Sequence, residues 1–154
     1  MRKVNTTRFG EIEVEDEDVL KFPQGIPAFE DEHEFRMIPY PPGEDTPYAF
    51  LQSLTTPSLA FLMADPFRFF FDYSFEIDDE SLETLGSPKQ DDIAIYTILT
   101  LPDGKVEDMT ANLMAPVVIN SHTMTAKQVV LERSRYQTKH RLFPAKDEES
   151  KSDE

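Results

Sequence analysis

The side chains best able to do chemistry in this chain are three histidines, His33, His122 and His140, and 30 acidic residues. The histidines do not form the HxH or HExxH spacing of a zinc site, and there is no cysteine to complete one. No G-x-S-x-G motif marks a nucleophile, although a triad assembled in space stays an alternative. We therefore expect the histidines in surface loops or at strand ends, with no metal or organic cofactor.

Three runs of carboxylates, at residues 13–18, 30–32 and 78–80, could in principle hold a hard cation. None has the central glycine and terminal glutamate of a calcium-binding loop, and the five isolated glycines do not form a phosphate-binding loop. We expect solvated acids at loops and at a helix start. The alternative is a carboxylate-based hydrolase or sugar-binding β-barrel, which needs two acids about 5–10 Å apart in a cleft.

The net charge of the chain indicates which kinds of partner it can bind. The chain has 154 residues and a formal net charge of −15. Nucleic-acid binding relies on lysine and arginine, and the same charge repels an anionic membrane surface, so we expect neither partner. The start of the chain is polar, no run of 18 apolar residues occurs, and disulfides are impossible. The sequence predicts a cytoplasmic protein whose partners are basic or apolar.

The elements that must position these side chains are mostly strands. Residues 11–15 alternate strictly, with Ile12 and Val14 on the core side. The other predicted strands are residues 48–54, 59–64, 93–101, 115–120 and 127–133.

One helix is predicted over residues 78–86, with Asp78 as its N-cap and Gly86 as its stop. Residues 27–35 are expected to hold one further turn. The fold class is therefore mainly β, an antiparallel β-barrel-like or sandwich domain with one or two short helices. We expect residues 1–144 to form this single domain and residues 145–154 to be an acidic disordered tail.

Residues 67–75 are the most unusual segment, because six of the nine are aromatic. If the segment is extended, positions 67, 69, 71, 73 and 75 form a stripe along one face. The stripe would supply core area, or it would be a partly exposed apolar patch for a protein partner.

Seven segments in order resemble the bacterial flagellar assembly factor FliW family over residues 4–142. They are residues 4–10 (VNTTRFG), 22–30 (FPQGIPAFE), 51–54 (LQSL), 65–70 with 72–73 (DPFRFF and DY), 109–113 (MTANL), 115–120 (APVVIN) and 136–142 (YQTKHRL). Two positions depart from the family pattern, which usually has glycine at Ala28 and proline at Phe71.

The resemblance implies a β-barrel-like protein that is not an enzyme and acts by binding other proteins. Members of the family bind newly made flagellin, or alternatively the translational repressor CsrA. Free FliW captures CsrA and relieves its repression of flagellin mRNA, while excess flagellin sequesters FliW. A general chaperone for apolar secreted segments is an overlapping alternative.

Five polar residues in the matching segments are our candidates for partner binding: Asp72, Tyr73, Thr110, Asn112 and Asn120. Each also has a structural interpretation. Asp72 and Thr110 would cap turns, while Asn112 and Asn120 would satisfy backbone groups at strand ends.

Overall fold

The computed structural model describes residues 2–41, 45–131 and 134–143. The predicted tail at 145–154 lies outside the described residues. Within them, no helix is long and apolar enough to cross a membrane.

Strands dominate the described chain, as the alternating patterns predict. They are β1 (Arg2–Thr6), β2 (Gly10–Val14), β3 (Leu20–Lys21), β4 (Glu34–Pro39), β5 (Tyr48–Ser53), β6 (Ala60–Ala64), β7 (Ile93–Thr100), β8 (Thr110–Ala111), β9 (Val117–Asn120), β10 (Thr125–Gln128) and β11 (His140–Arg141). Among the residues that the structure describes, the α-helix is α1 (Asp79–Thr84), and five short 3-10 turns connect other elements.

Seven of the strands close into a barrel. Each neighbour pairs in the order β7, β6, β5, β4, β3, β10 and β9, and β9 pairs back onto β7. Every pair is antiparallel except β3 with β10, which meet in parallel at Lys21 and Thr125. The predicted mainly β, barrel-like class is confirmed.

The barrel interior is filled by apolar side chains from all sides, with Phe22 and Phe35 in edge-to-face contact at 5.1 Å. Strand β7 is covered on both faces, because Tyr96 packs inside the barrel while Ile95 packs outside against the cluster that includes Leu85 of the α1 region. The β1–β2 hairpin lies outside the barrel, where Phe9 packs on Phe50 at 5.5 Å. These layers explain why several strands are apolar on both faces.

The predicted helix is present and its cap is as expected. The Asp78 carboxylate accepts a hydrogen bond from the Ser81 N–H at 3.1 Å, and Gly86 follows the helix with φ 80°. Residues 27–35 contain turns but no helix. Ile26 and Phe29 form a tight β-bridge at the start of this stretch, and β4 begins at Glu34.

Two further predictions need correction. The predicted strand at 127–133 is instead β10, which starts at Thr125 and ends at Gln128. The aromatic segment 67–75 is not extended: Pro66–Arg68 form a 3-10 turn, and residues 69, 71 and 72 lie in further turns. Asp65 starts this turn by accepting a hydrogen bond from the Phe67 N–H at 3.0 Å.

Candidate partner-binding site

The site is built on an irregularity where β8 and β9 pair with the same strand. Leu99 of β7 pairs with Ala111, and Tyr96 pairs with Val117. Three steps along β7 (99 − 96) therefore match six along its partner (117 − 111), so three extra residues bulge out between β8 and β9. Such a bulge interrupts the ladder and leaves backbone groups that need other partners.

Distant segments supply those partners. The Tyr73 hydroxyl donates to the Leu113 carbonyl at 2.7 Å, and the Leu131 N–H donates to the Met114 carbonyl at 2.7 Å. The Met114 N–H donates to the Gln137 carbonyl at 3.1 Å, and the Asn112 carboxamide oxygen accepts from the Ala115 N–H at 3.1 Å. The bulge thereby ties the aromatic segment to the chain around residues 131–137.

A pocket of about 220 Å³ opens over the bulge, and we call it the aromatic pocket. It is lined by Phe70, Asp72, Tyr73, Leu113, Arg135, Tyr136 and His140. The Tyr73 and Tyr136 rings meet edge to face at 4.7 Å, and His140 lies 6.1 Å from the rings of both Phe70 and Tyr136. Its wall is thus mostly aromatic, with one carboxylate and one guanidinium on opposite segments.

Two aromatic side chains next to the pocket stand in solvent. Phe71 is 92% exposed and Phe67 is 44% exposed, whereas Tyr73 is buried. The segment 67–75 therefore divides its rings between core and surface: Phe69, Phe70 and Phe75 pack partly against the cluster around Tyr73. The segment therefore supplies core area and also exposes apolar rings, because the turn points successive rings in different directions.

The ionisable groups of the pocket are tuned by their neighbours. The Ser74 N–H donates to the Tyr136 hydroxyl at 3.0 Å, which is the main cause of a lowered pKa for Tyr136. Burial raises the pKa of Tyr73 well above its usual range and lowers the pKa of His140. Neutral His140 can accept the Gln137 N–H on Nε2 at 2.8 Å, so this ring acts as an acceptor at neutral pH.

A second depression of about 860 Å³ lies beyond the Tyr136–Ser74 contact, and we call it the acidic groove. Its rim carries Glu76, Asp78 and Glu80, with Lys127 as its one cation among the described lining residues. Lys127 donates to the Ser81 hydroxyl at 2.9 Å. Asp78 has a lowered pKa, chiefly through its hydrogen bond with Ser81, which is opposite to the raised pKa of a general acid.

The structure separates the five candidate residues. Asp72 is exposed and lines the aromatic pocket together with buried Tyr73. Thr110 is buried in β8, and Asn112 is half-buried at the start of the bulge. Asn120 is buried at the end of β9, where its amide donates to the Leu85 carbonyl at 2.7 Å. Only Asp72 and Tyr73 are brought together, and their contact with partners stays a prediction.

Sequence reasoning did not single out Arg135 and Tyr136, and it expected His140 in a surface loop or at a strand end and not in a site. Tyr136 and His140 nevertheless lie in a segment that carries the resemblance. His33 and His122 are exposed, as predicted. His140 is at a strand end, as predicted, because it begins β11, but it is half-buried in the aromatic pocket. The available signal was the unusual charge of residues 133–142, which include four basic residues and no acid.

Among the described residues no cluster of three or more potential metal ligands occurs. The protein is a small closed β-barrel, with exposed aromatic rings beside the aromatic pocket and exposed carboxylates at the neighbouring acidic groove. The chain belongs to the FliW family: the family model described as FliW protein matches residues 3–142.

Relatives named flagellar assembly factor FliW align over nearly their whole length. The relative from Geobacillus thermodenitrificans is 46% identical over 144 residues, covering 94% of this chain and 97% of its own. The relative from Heliobacterium modesticaldum is 48% identical over 143 residues, covering 93% and 92%. A solved structure, the crystal structure of the flagellar assembly factor FliW, matches with a TM-score of 0.86 and 43% identity, covering 94% of this chain and 99% of that one.

Proposed function

We propose that this flagellar assembly factor works in the cytoplasm as a partner switch that binds either flagellin or CsrA. Free protein captures CsrA and relieves repression of flagellin translation, and flagellin in excess withdraws it from CsrA. The observation that carries the proposal is the pair of neighbouring surfaces, one aromatic and one acidic, on a family member. They suit two partners of different chemistry.

Flagellin would dock at the aromatic surface. Unassembled flagellin exposes apolar helical faces, and an amphipathic helix needs an apolar surface to bury them. Phe67 and Phe71 are the exposed rings that can supply such a surface beside the aromatic pocket. Burial of exposed aromatic side chains is a strong source of binding energy at protein interfaces.

CsrA would dock on the acidic side. A protein that binds RNA must present basic groups, and a partner with net charge −15 attracts them over long range. Asp79, Glu80 and Glu83 of α1 are exposed beside the acidic groove, where they form a dense patch of negative charge. Once docked, this charge would also repel RNA phosphates, so that repulsion contributes to antagonism.

The first test is size-exclusion chromatography of the protein with flagellin and CsrA from its own organism, separately and together, at two salt concentrations. We expect a complex with each partner, displacement of CsrA by flagellin, and weakening by salt of the CsrA complex alone. Absence of both complexes would overturn the proposal. Equal binding to unrelated unfolded chains would instead indicate a general chaperone.

A charge-matched pair of variants tests the acidic surface. The triple variant Asp79→Asn, Glu80→Gln and Glu83→Gln removes three charges from α1, and Glu11→Gln, Glu13→Gln and Glu17→Gln removes three from the hairpin region. We expect the α1 variant alone to slow CsrA association by about tenfold and to release RNA less well from a CsrA–RNA complex. If it still binds CsrA and releases RNA fully, repulsion plays no part.

A further inference from the structure

We propose that the acidic groove binds an extended, basic segment of a partner protein, which adds a strand to the free edge formed by residues 126–130. The backbone of β10 and the charge of the wall beside it determine this contact. It is therefore independent of the partner switch proposed above.

The free edge follows from the alternation of hydrogen bonds along β10 and the chain after it. Val129 and Leu131 donate their N–H groups, at 2.9 and 2.7 Å, to carbonyls on the β9 side. Alternate residues of an antiparallel ladder point their backbone groups to opposite sides, so those of Gln128 and Val130 face away from β9. Among the described residues, Val130 makes no backbone hydrogen bond.

On that opposite side, pairing with β3 stops early. The two strands meet in parallel at Lys21 and Thr125, and the Lys21 N–H donates to the Met124 carbonyl at 2.9 Å. The next donor from β3 in a parallel ladder would be residue 23, which is a proline and has no N–H. Within the described part of the chain, residues 126–130 are therefore left as an open edge of roughly 17 Å, the length of an ordinary strand.

The acidic groove, of about 860 Å³, lies at this edge. Residues 127–131 line it, together with residues of the segment 74–81. Val130 is 48% exposed there, so nothing in the described chain covers the middle of the edge. Open sheet edges are templates for pairing with another chain, and addition of a strand is a recurrent way of binding an extended peptide.

The charge of the groove selects a basic segment. Glu76, Asp78 and Glu80 are exposed along it, and Lys127 is its one cation among the described lining residues. The Lys127 ammonium group reaches the Ser81 hydroxyl at 2.9 Å, so this face of β10 is turned towards the segment 74–81. An added strand would present every second side chain to the same segment, where lysine or arginine would meet carboxylates.

The test uses the full chain and the synthetic peptide KVKTKVK, acetylated and amidated, whose lysines share one face of an extended strand. NMR titration should give a dissociation constant below about 1 mM that rises with salt. Amide exchange of Gln128 and Val130 should slow about tenfold or more in the complex. Val129 and Leu131, whose N–H groups are already bonded, should change little.

Two controls separate backbone pairing from charge. The same peptide with every backbone amide N-methylated keeps its lysines but donates no backbone hydrogen bond, and it should bind about tenfold more weakly or worse. Val130→Pro removes the open N–H of the edge and should weaken binding similarly, whereas Val130→Ala keeps this N–H and should bind like the natural chain. The spectrum of the proline variant shows whether it folds; if it does not, the methylated peptide decides.

Several results would overturn the proposal. They are no binding of KVKTKVK at about 1 mM, equal binding of its N-methylated form, and equal binding of the acidic peptide EVETEVE. Signals of Gln128 and Val130 that shift with protein concentration alone would make a second copy the occupant and overturn it too. These measurements contain neither CsrA nor flagellin, so they leave the partner switch to its own test.

Discussion

Asn120 is the candidate residue whose side chain is most fully engaged in the fold. Its amide donates to the Leu85 carbonyl, and its oxygen accepts from the His122 N–H at 3.0 Å and the Thr123 N–H at 3.3 Å. Asn120→Ala leaves these buried groups unpaired and should lower the free energy of unfolding by about 2–3 kcal/mol. Urea unfolding measures this.

Asn112→Ala is the matched control, because the half-buried Asn112 makes one comparable bond to the backbone. We expect a loss of about 1 kcal/mol there. If Asn120→Ala kept full stability but no longer bound a partner protein, Asn120 would be a contact residue. That result would contradict the interpretation that its side chain only satisfies backbone groups at a strand end.

His140, in the aromatic pocket, should make the free energy of unfolding depend on pH. Its pKa is lowered by burial, and only the neutral ring can accept the Gln137 N–H. Between the folded pKa and the unfolded value of about 6.5, the unfolded chain binds more protons, so the stabilisation is present above pH 6.5 and is lost as the pH falls through the folded pKa.

We expect His140→Gln, which keeps an acceptor but does not titrate, to show a shallower loss of unfolding free energy between about pH 7 and 5 than the natural chain. His122→Gln, at an exposed turn, should keep the natural slope. Equal slopes for the natural chain and His140→Gln would contradict the assignment of this group.

At the scale of elements, the loop between β3 and β4 depends on a close approach of backbones. Gly25 has φ +69°, and an added Cβ would lie 2.4 Å from the Glu30 carbonyl oxygen. Gly104 has a similar φ of +72° with nothing within 4 Å of an added Cβ. The two glycines therefore separate the cost of backbone conformation from the cost of a clash.

Gly104→Ala should lower the unfolding free energy by about 1–2 kcal/mol, the cost of the left-handed conformation. Gly25→Ala should cost clearly more, because the Glu30 backbone must also move. Thermal unfolding of both variants measures the difference. Equal costs would mean that the loop shifts freely, and so that the tight bridge at Ile26 and Phe29 does not hold it.

The elements also show which parts of the fold a sequence can reveal. Strand β2 carries an alternating pattern and β7 carries a run of β-branched and aromatic residues, so both can be found from local sequence. Asp78 and Gly86 mark the ends of α1 in the same way. The end of β10 carries no local signal, because Val129 and Leu131 leave the strand to bond Pro116 and Met114 of the bulge.

The aromatic segment did have a local signal, since Asp65 followed by proline starts the 3-10 turn that breaks the stripe. No local pattern showed that the aromatic pocket would assemble, because its wall joins three separate parts of the chain: residues 70, 72 and 73, Leu113 of the bulge, and residues 135, 136 and 140. A local sequence pattern predicts helices, strands and turns. It does not predict the contacts between distant segments that build a site.

At the scale of the whole molecule, repulsion among surface carboxylates should be the main electrostatic influence on stability. The described ion pairs, Arg2–Glu34, Arg36–Asp18, Arg68–Asp45 and Arg141–Asp108, span 2.9–3.5 Å and are all partly exposed. Exposed pairs contribute about 0–1 kcal/mol each, and salt weakens them. The net charge of −15 opposes the compact state, and salt weakens this repulsion too.

We expect repulsion to dominate, so that the urea midpoint rises between about 0.05 and 0.5 M NaCl. The α1 triple amide variant has fewer carboxylates to screen and should show a smaller rise than the natural chain. A midpoint that falls with salt would mean that the local ion pairs outweigh the general repulsion, and the acidic surface would then be held by specific contacts.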